Sequence, residues 1–137
     1  MRDLAEQIVR DAEGGSKFVR IEVSGTPDDA KSADLGRAIA ASALWRSAVH
    51  GADPNWGRIL SAIGTTAAAF ESDGVDVAIN GVWICRGGEA GDDRSKVDLS
   101  DRAVTVTVNL NSGKDAATVR TNDLSLAYVH ENSAYSS

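Results

Sequence analysis

The stretch Val49-His50-Gly51-Ala52-Asp53-Pro54-Asn55-Trp56 limits most sharply what this chain can fold into. Upstream of it, Leu35, Ala38, Ile39, Ser42, Trp45 and Val49 recur at helical spacing, so one face of a long helix is apolar or small. Gly51 stands where a helix C-cap belongs, and Pro54 bars the helix from running on. Asp53 or Asn55 can then cap a second, shorter helix that carries Ile59, Leu60 and Ile63 and stops near Gly64. The stretch predicts helix, tight turn, helix. Trp45 and Trp56 flank the turn in a chain with few aromatics, and each is a large apolar body with an N–H that needs a partner when buried. Both rings are read as pins of the helix corner.

The rest of the chain supplies the other layer. Leu4, Ala5, Ile8, Val9 and Ala12 share one face of an amphipathic helix over residues 3–12 that ends at Gly14-Gly15. Val19, Ile21 and Val23 alternate with Arg20, Glu22 and Ser24, a strand with one buried face. Thr26 or Asp28 can cap the long helix. Residues 65–70 are compatible with a further strand. Asp73-Gly74 turns into Val75, Val77 and Ile79, and Asn80-Gly81 is the strongest hairpin signal in the chain, leading into residues 82–85. Residues 87–95 are Gly-rich and charged, as in an exposed loop. Val104, Val106, Val108 and Leu110 alternate with polar residues as a strand. Asn111-Ser112-Gly113 is expected to turn that strand into a hairpin with residues 116–121, Ala117 and Val119 facing inward. A helical turn over residues 124–129 and an irregular tail complete the chain. The order predicts an α+β fold, helices packed on a mostly antiparallel sheet in a single domain over 1–137. Such a two-layer fold leaves one sheet face open unless something covers it.

Candidate chemistry is sparse. With 14 Lys and Arg against 20 Asp and Glu, scattered singly, a net charge of −6 argues against a nucleic-acid partner. Cys85 is the single cysteine, so no intrachain disulfide forms, and its setting in Val82-Trp83-Ile84-Cys85 is that of a buried strand thiol. No signal peptide is visible, and no apolar run approaches the roughly 20 residues that span a membrane. A cytoplasmic location is expected. His50 and His130 form no metal-binding pair, and no Gly-x-Ser-x-Gly elbow is present. Neither residues 87–95 nor Gly14-Gly15-Ser16-Lys17 follows the strand, glycine loop, helix order of phosphate loops. Asp92, Asp93, Asp98 and Asp101 read as solvated. Glu13 stands out, because it falls at a helix C-terminus where the macrodipole disfavours a carboxylate. That placement suits a site that binds an amino group.

Three segments carry a resemblance, in order along the chain. Asp11-Ala12-Glu13-Gly14-Gly15-Ser16-Lys17, Asp53-Pro54-Asn55-Trp56-Gly57-Arg58, and the run from Thr121-Asn122-Asp123-Leu124 to Asn132-Ser133-Ala134-Tyr135-Ser136-Ser137 resemble the ornithine acetyltransferases. These are the bifunctional glutamate N-acetyltransferases of the cyclic arginine pathway. The match covers residues 4–137. Trp45-Arg46-Ser47 departs from it, standing where the family more often has a small or aliphatic residue, Lys and Thr; Arg keeps the charge of Lys but not its geometry.

The resemblance implies a precursor that cuts itself into α and β chains and acetylates the Thr freed at the start of the β chain. It aligns this sequence with the C-terminal part of the β chain, downstream of that Thr and of the oxyanion-hole residues. The implied reaction moves acetyl from N-acetylornithine to glutamate. No catalytic residue is expected here, and the chain alone is expected to be inactive. Glu13, Asn132 and Ser137 fall on family positions that contact substrate. The Glu13 carboxylate suits an ammonium, and the Asn132 amide and Ser137 hydroxyl suit polar groups of an amino acid. The implied partners are the α chain, the remainder of the β chain and further αβ units of a homo-oligomer; no cofactor or metal is implied. The alternative from the residues alone is a non-catalytic module for small-ligand binding or assembly.

Overall fold

In the computed structural model, which describes residues 17–66 and 74–122, Phe18–Thr26 (β1) runs through the interior of a six-stranded sheet. Three helices follow it: Asp29–Ala41 (α1), Ala43–His50 (α2) and Trp56–Ile63 (α3). Then come Asp76–Ile79 (β2), Val82–Arg86 (β3), Glu89–Ala90 (β4), a single 3₁₀ turn at Arg94–Lys96, Ala103–Asn109 (β5) and Asp115–Asn122 (β6). The sheet order is β4-β3-β2-β5-β1-β6, and every neighbouring pair is antiparallel except β1 with β5. This is the expected α+β arrangement of helices on a mostly antiparallel sheet. The helix over 3–12, the turn over 124–129 and the tail lie outside the described residues.

Burial follows the two periodicities. Val19, Ile21 and Val23 of β1 face the helices together with Val104, Val106 and Val108 of β5 and with Val77 and Ile79 of β2. Leu35, Ile39, Trp45, Val49, Ile59 and Ile63 meet them from the helical layer in one apolar cluster. The alternate residues Arg20, Glu22, Ser24, Thr105, Thr107 and Asn109 take the other face and are partly exposed. α1 packs on β1 and β6, and α3 packs against α1.

The structure departs from sequence expectation in four places. The long helix is two helices, broken at Ser42. Ser42 has an extended backbone (φ −73°, ψ 111°), its N–H donates to the Ile39 carbonyl, and its side chain accepts from the Trp45 N–H. A serine hydroxyl competes for backbone partners and favours a cap over a helix interior, and apolar spacing does not register it.

β5 and β6 form no hairpin. β1 lies between them, in register with Val19↔Val104 on one side and Ile21↔Val119 on the other. Residues 110–114 therefore span two strand spacings, about 10 Å, rather than one. They cross the end of β1, where Leu110 N–H donates to the Ser24 carbonyl and Ser112 N–H to that of Gly25. The crossing is close. A Cβ on Gly25, whose φ is +75°, would lie 2.1 Å from Asn109 Oδ1, and one on Gly113 would lie 2.1 Å from the Thr26 carbonyl oxygen. Only residues without a Cβ fit at these two points.

Residues 87–95 contain a strand as well as exposed turns. Gly87 and Gly88 both have positive φ and fold β4 back on β3 as a tight turn. Thr65 and Thr66 continue the end of α3 instead of starting a strand, their hydroxyls donating to the Ala62 and Ile63 carbonyls. The β2–β3 hairpin forms as expected. Asn80 (φ 50°) and Gly81 (φ 83°) make its turn, and the Asn80 side chain joins Thr105 N–H to the Asp98 carbonyl.

Of the two corner tryptophans, Trp45 is fully buried, whereas Trp56 is half-buried against the core. Among the described residues, the Trp45 indole N–H is the buried side-chain polar group without a hydrogen-bond partner. Trp45 therefore contributes volume, while Trp56 does so only in part. Trp45→Ala is expected to cost about 3–5 kcal/mol, and Trp56→Ala less. Denaturant titration of both variants checks this, and equal midpoints would contradict the assignment.

Candidate functional site

The polar groups of Asp53-Pro54-Asn55-Trp56-Gly57-Arg58 hold the corner between α2 and α3. Gly51 N–H and Asp53 N–H donate to the Ser47 and Ala48 carbonyls, closing α2, and Ala52 takes a left-handed conformation (φ 57°) between them. That conformation costs a non-glycine residue about 1–2 kcal/mol, so the corner must be held by its surroundings. Asn55 Oδ1 accepts from Arg58 N–H at 3.1 Å and caps α3. The amide of the same side chain donates to Asp53 Oδ2 at 3.3 Å. Arg58 Nη1 reaches back to donate to the Leu44 carbonyl at 2.7 Å, tying α3 to the start of α2. Asp53 also lies 3.9 Å from Arg94 in the loop after β4.

Beside the corner, the three helices leave an open, mainly apolar depression of about 390 Å³. Ala38, Ser42, Leu44, Arg58, Ser61 and Thr65 are among its walls, and Leu44 is 65% exposed. On the neighbouring turn of α2, Arg46 is only 9% exposed. Its Nε donates to the Asn122 backbone carbonyl and its Nη2 to Asn122 Oδ1, both at 2.7 Å. Sequence reasoning placed Arg46 at a departure from the family pattern and gave it no role. Nothing local in the sequence signals a partner so far downstream.

The remaining candidate chemistry is structural. Cys85 is fully buried on β3, its thiol facing the Val75 carbonyl at 3.6 Å; burial pushes its pKa up and the nearby Asp76 charge adds to this, against a hydrogen bond from the Gly88 backbone. A thiol held protonated in a packed core is a poor nucleophile. Asp92, Asp93, Asp98 and Asp101 are exposed, as expected. Hydrogen bonds from the Ser95 N–H and hydroxyl hold Asp93 below the usual carboxylate range, and those from the Ser100 hydroxyl and N–H do the same for Asp98. Among the described residues no group of three or more His, Cys, Asp or Glu is placed to hold a metal ion. No helix among them is long and apolar enough to cross a membrane. His50 is exposed at the end of α2. Glu13, Asn132 and Ser137 all lie outside the described residues.

What the described residues build is a hydrogen-bonded helical corner on a sheet, with Arg46 joining that corner to the end of β6. A sequence model of the ArgJ family matches residues 1–137. The chain belongs to the ArgJ family. It is 57% identical over 135 residues to the arginine biosynthesis bifunctional protein ArgJ of Thermobifida fusca, covering 98% of this chain and 35% of that protein. The ArgJ protein of Streptomyces avermitilis is 53% identical over the same shares. That of Mycobacterium tuberculosis strain H37Rv is 45% identical over 98% of this chain and 33% of the relative. The chain thus spans about a third of the length of the curated relatives it matches. The crystal structure of arginine biosynthesis bifunctional protein ArgJ from Bacillus halodurans superposes with a TM-score of 0.88 at 34% identity, over 97% of this chain and 64% of that one.

Cys85 is expected to resist alkylation by a thiol reagent at neutral pH in the folded protein and to react on unfolding. Rapid modification without denaturant, read by mass, would contradict its placement in the core.

Proposed function

We propose that this chain is the substrate-binding C-terminal portion of the β chain of an ornithine acetyltransferase. The whole enzyme moves acetyl from N-acetylornithine to glutamate through an acetyl-threonine intermediate, a covalent mechanism in two half-reactions. The threonine nucleophile and the oxyanion hole belong to the rest of the protein. The observation that carries this reading is 57% identity across 98% of the chain to an arginine biosynthesis bifunctional protein. The TM-score of 0.88 to an ArgJ crystal structure supports it at the level of the fold.

In this reading Glu13 pairs with the ammonium of glutamate or ornithine, and the Asn132 amide and Ser137 hydroxyl donate to or accept from the ligand's polar groups. The corner contributes structure rather than chemistry in this reading: Asp53, Asn55 and Arg58 each make a side-chain hydrogen bond within the protein. The α chain, the remainder of the β chain and further αβ units complete the cytoplasmic enzyme, and no cofactor takes part. A pocket that unites Glu13 with Asn132 requires the two ends of the chain, or the ends of two neighbouring subunits, to meet.

Glu13→Gln in the complete enzyme removes one charge and keeps the shape. A charge-assisted hydrogen bond is worth roughly 1.5–3 kcal/mol, so kcat/KM is expected to fall on the order of tenfold or more with self-cleavage intact. Wild-type kcat/KM for both glutamate and N-acetylornithine would remove Glu13 from the pocket. The purified chain by itself is expected to transfer no acetyl from N-acetylornithine to glutamate. Turnover above a protein-free control would place a nucleophile within these residues and overturn the assignment.

A further inference from the structure

The depression between the three helices combines apolar walls with a single charge. Ala38 and Ala41 of α1, Leu44 of α2 and Ala62 of α3 supply small and apolar surface. Arg58 is the charged residue among the described walls, and no Asp or Glu stands there with it. Its guanidinium is held in place, because Nη1 donates to the Leu44 carbonyl at 2.7 Å. Nε and Nη2 have no hydrogen-bond partner among the described residues.

The same edge of a guanidinium is in use elsewhere in this structure. Arg46 sets its Nε and Nη2 on two oxygens of Asn122, both at 2.7 Å. A carboxylate offers two oxygens to that edge, and the bidentate pair is strong and directional. Anchoring through Nη1 lowers the cost of ordering the Arg58 side chain when such a ligand binds. Arg58 therefore presents a fork set in advance for one carboxylate.

Size and surroundings limit what that carboxylate belongs to. A volume of about 390 Å³ falls in the range of small-molecule sites, roughly 300–1,000 Å³. A standard protein interface buries about 800 Å² on each side. Leu44 is the large apolar side chain exposed among the described residues, and one leucine beside a hollow of alanines offers far less than that. A ligand ammonium would find no carboxylate among the described walls. We propose that the depression binds a short aliphatic monocarboxylate, its carboxylate on the Nε–Nη2 edge of Arg58 and its apolar body against Ala38, Ala41, Leu44 and Ala62. The argument for this site uses the three helices alone and does not depend on where substrate binds.

The test uses the complete enzyme, hexanoate as the probe and hexylamine as its cationic counterpart, with binding followed by ligand-observed NMR and normalised to folded protein. Hexanoate is expected to bind the wild type, and hexylamine is not. Arg58→Met is expected to weaken hexanoate binding about tenfold or more, as for loss of a charge-assisted hydrogen bond. Arg58→Lys keeps the charge without the fork and is expected to fall between. Ala41 is exposed at the end of α1, so Ala41→Phe fills the hollow from outside the core, leaves the Arg58 bond to Leu44 intact, and is expected to weaken binding by a similar factor. No hexanoate binding to the wild type, or equal binding of hexylamine, would refute the site. Binding that survives Ala41→Phe would place the probe outside the depression, and binding that survives Arg58→Met would remove the fork. Leu44→Cys is expected to be alkylated rapidly in the complete enzyme; resistance there would show that another part of the protein covers the depression and would overturn a small-molecule site. If Arg58→Met yields no folded enzyme, Arg58→Lys and Ala41→Phe decide, and wild-type affinity in both would refute the proposal.

Discussion

The rest of the structure depends on β1 having both of its edges paired. Seven of its residues are in register with the parallel β5, and the antiparallel β6 closes the other side. Interior pairing of this kind satisfies the strand's N–H and C=O groups on both sides, which allows Val19, Ile21 and Val23 to be buried completely. Those residues are the floor on which α1 lies, and α1 in turn carries α3. A strand inserted between two others that are consecutive in sequence also demands a crossing loop. That demand is met at Gly25 and Gly113, where side chains would collide with the backbone or with Asn109. The topology and the two glycines are one requirement seen at two levels.

The helical layer solves a different problem. Two short helices and a proline-bearing turn have little stability of their own, since isolated helices of this length are marginal in water. They are held by the core beneath, chiefly the buried Trp45, and by polar stitches at the surface. The stitches form a chain: Asp53 accepts from Asn55, Asn55 accepts from Arg58, and Arg58 donates to the Leu44 carbonyl. These bonds tie the start of α2 to the start of α3 across the turn. Arg46 extends the same stitching to the end of β6 by binding Asn122.

The family and the fold class were legible because they rest on local patterns. Three ordered segments carried the resemblance, and the ArgJ family model matches the whole chain. Asn132 and Ser137 were legible only by that resemblance, having ordinary local surroundings in sequence, whereas Glu13 was marked as well by its place at an expected helix C-terminus; all three lie outside the described residues. The Arg46–Asn122 contact had no sequence signal at all. It joins positions far apart along the chain, and neither residue type announces a partner.

Alternation of period two by itself determined β1, β2 and β5, and Asn80-Gly81 determined the turn between β2 and β3, because these are consequences of backbone geometry within a few residues. Pro54 and Asn55 likewise determined where α3 begins. Only the tertiary structure decided which strands pair. A turn such as Asn111-Ser112-Gly113 is compatible with a hairpin or with a crossing, and β1 resolves the choice by offering a second edge. The same holds for the break at Ser42, where the apolar face continues across two helices that pack on one core. It holds too for Trp45 and Trp56, alike in sequence and unequal in burial. Periodicity reports which face is apolar, and depth depends on what the rest of the chain brings to that face.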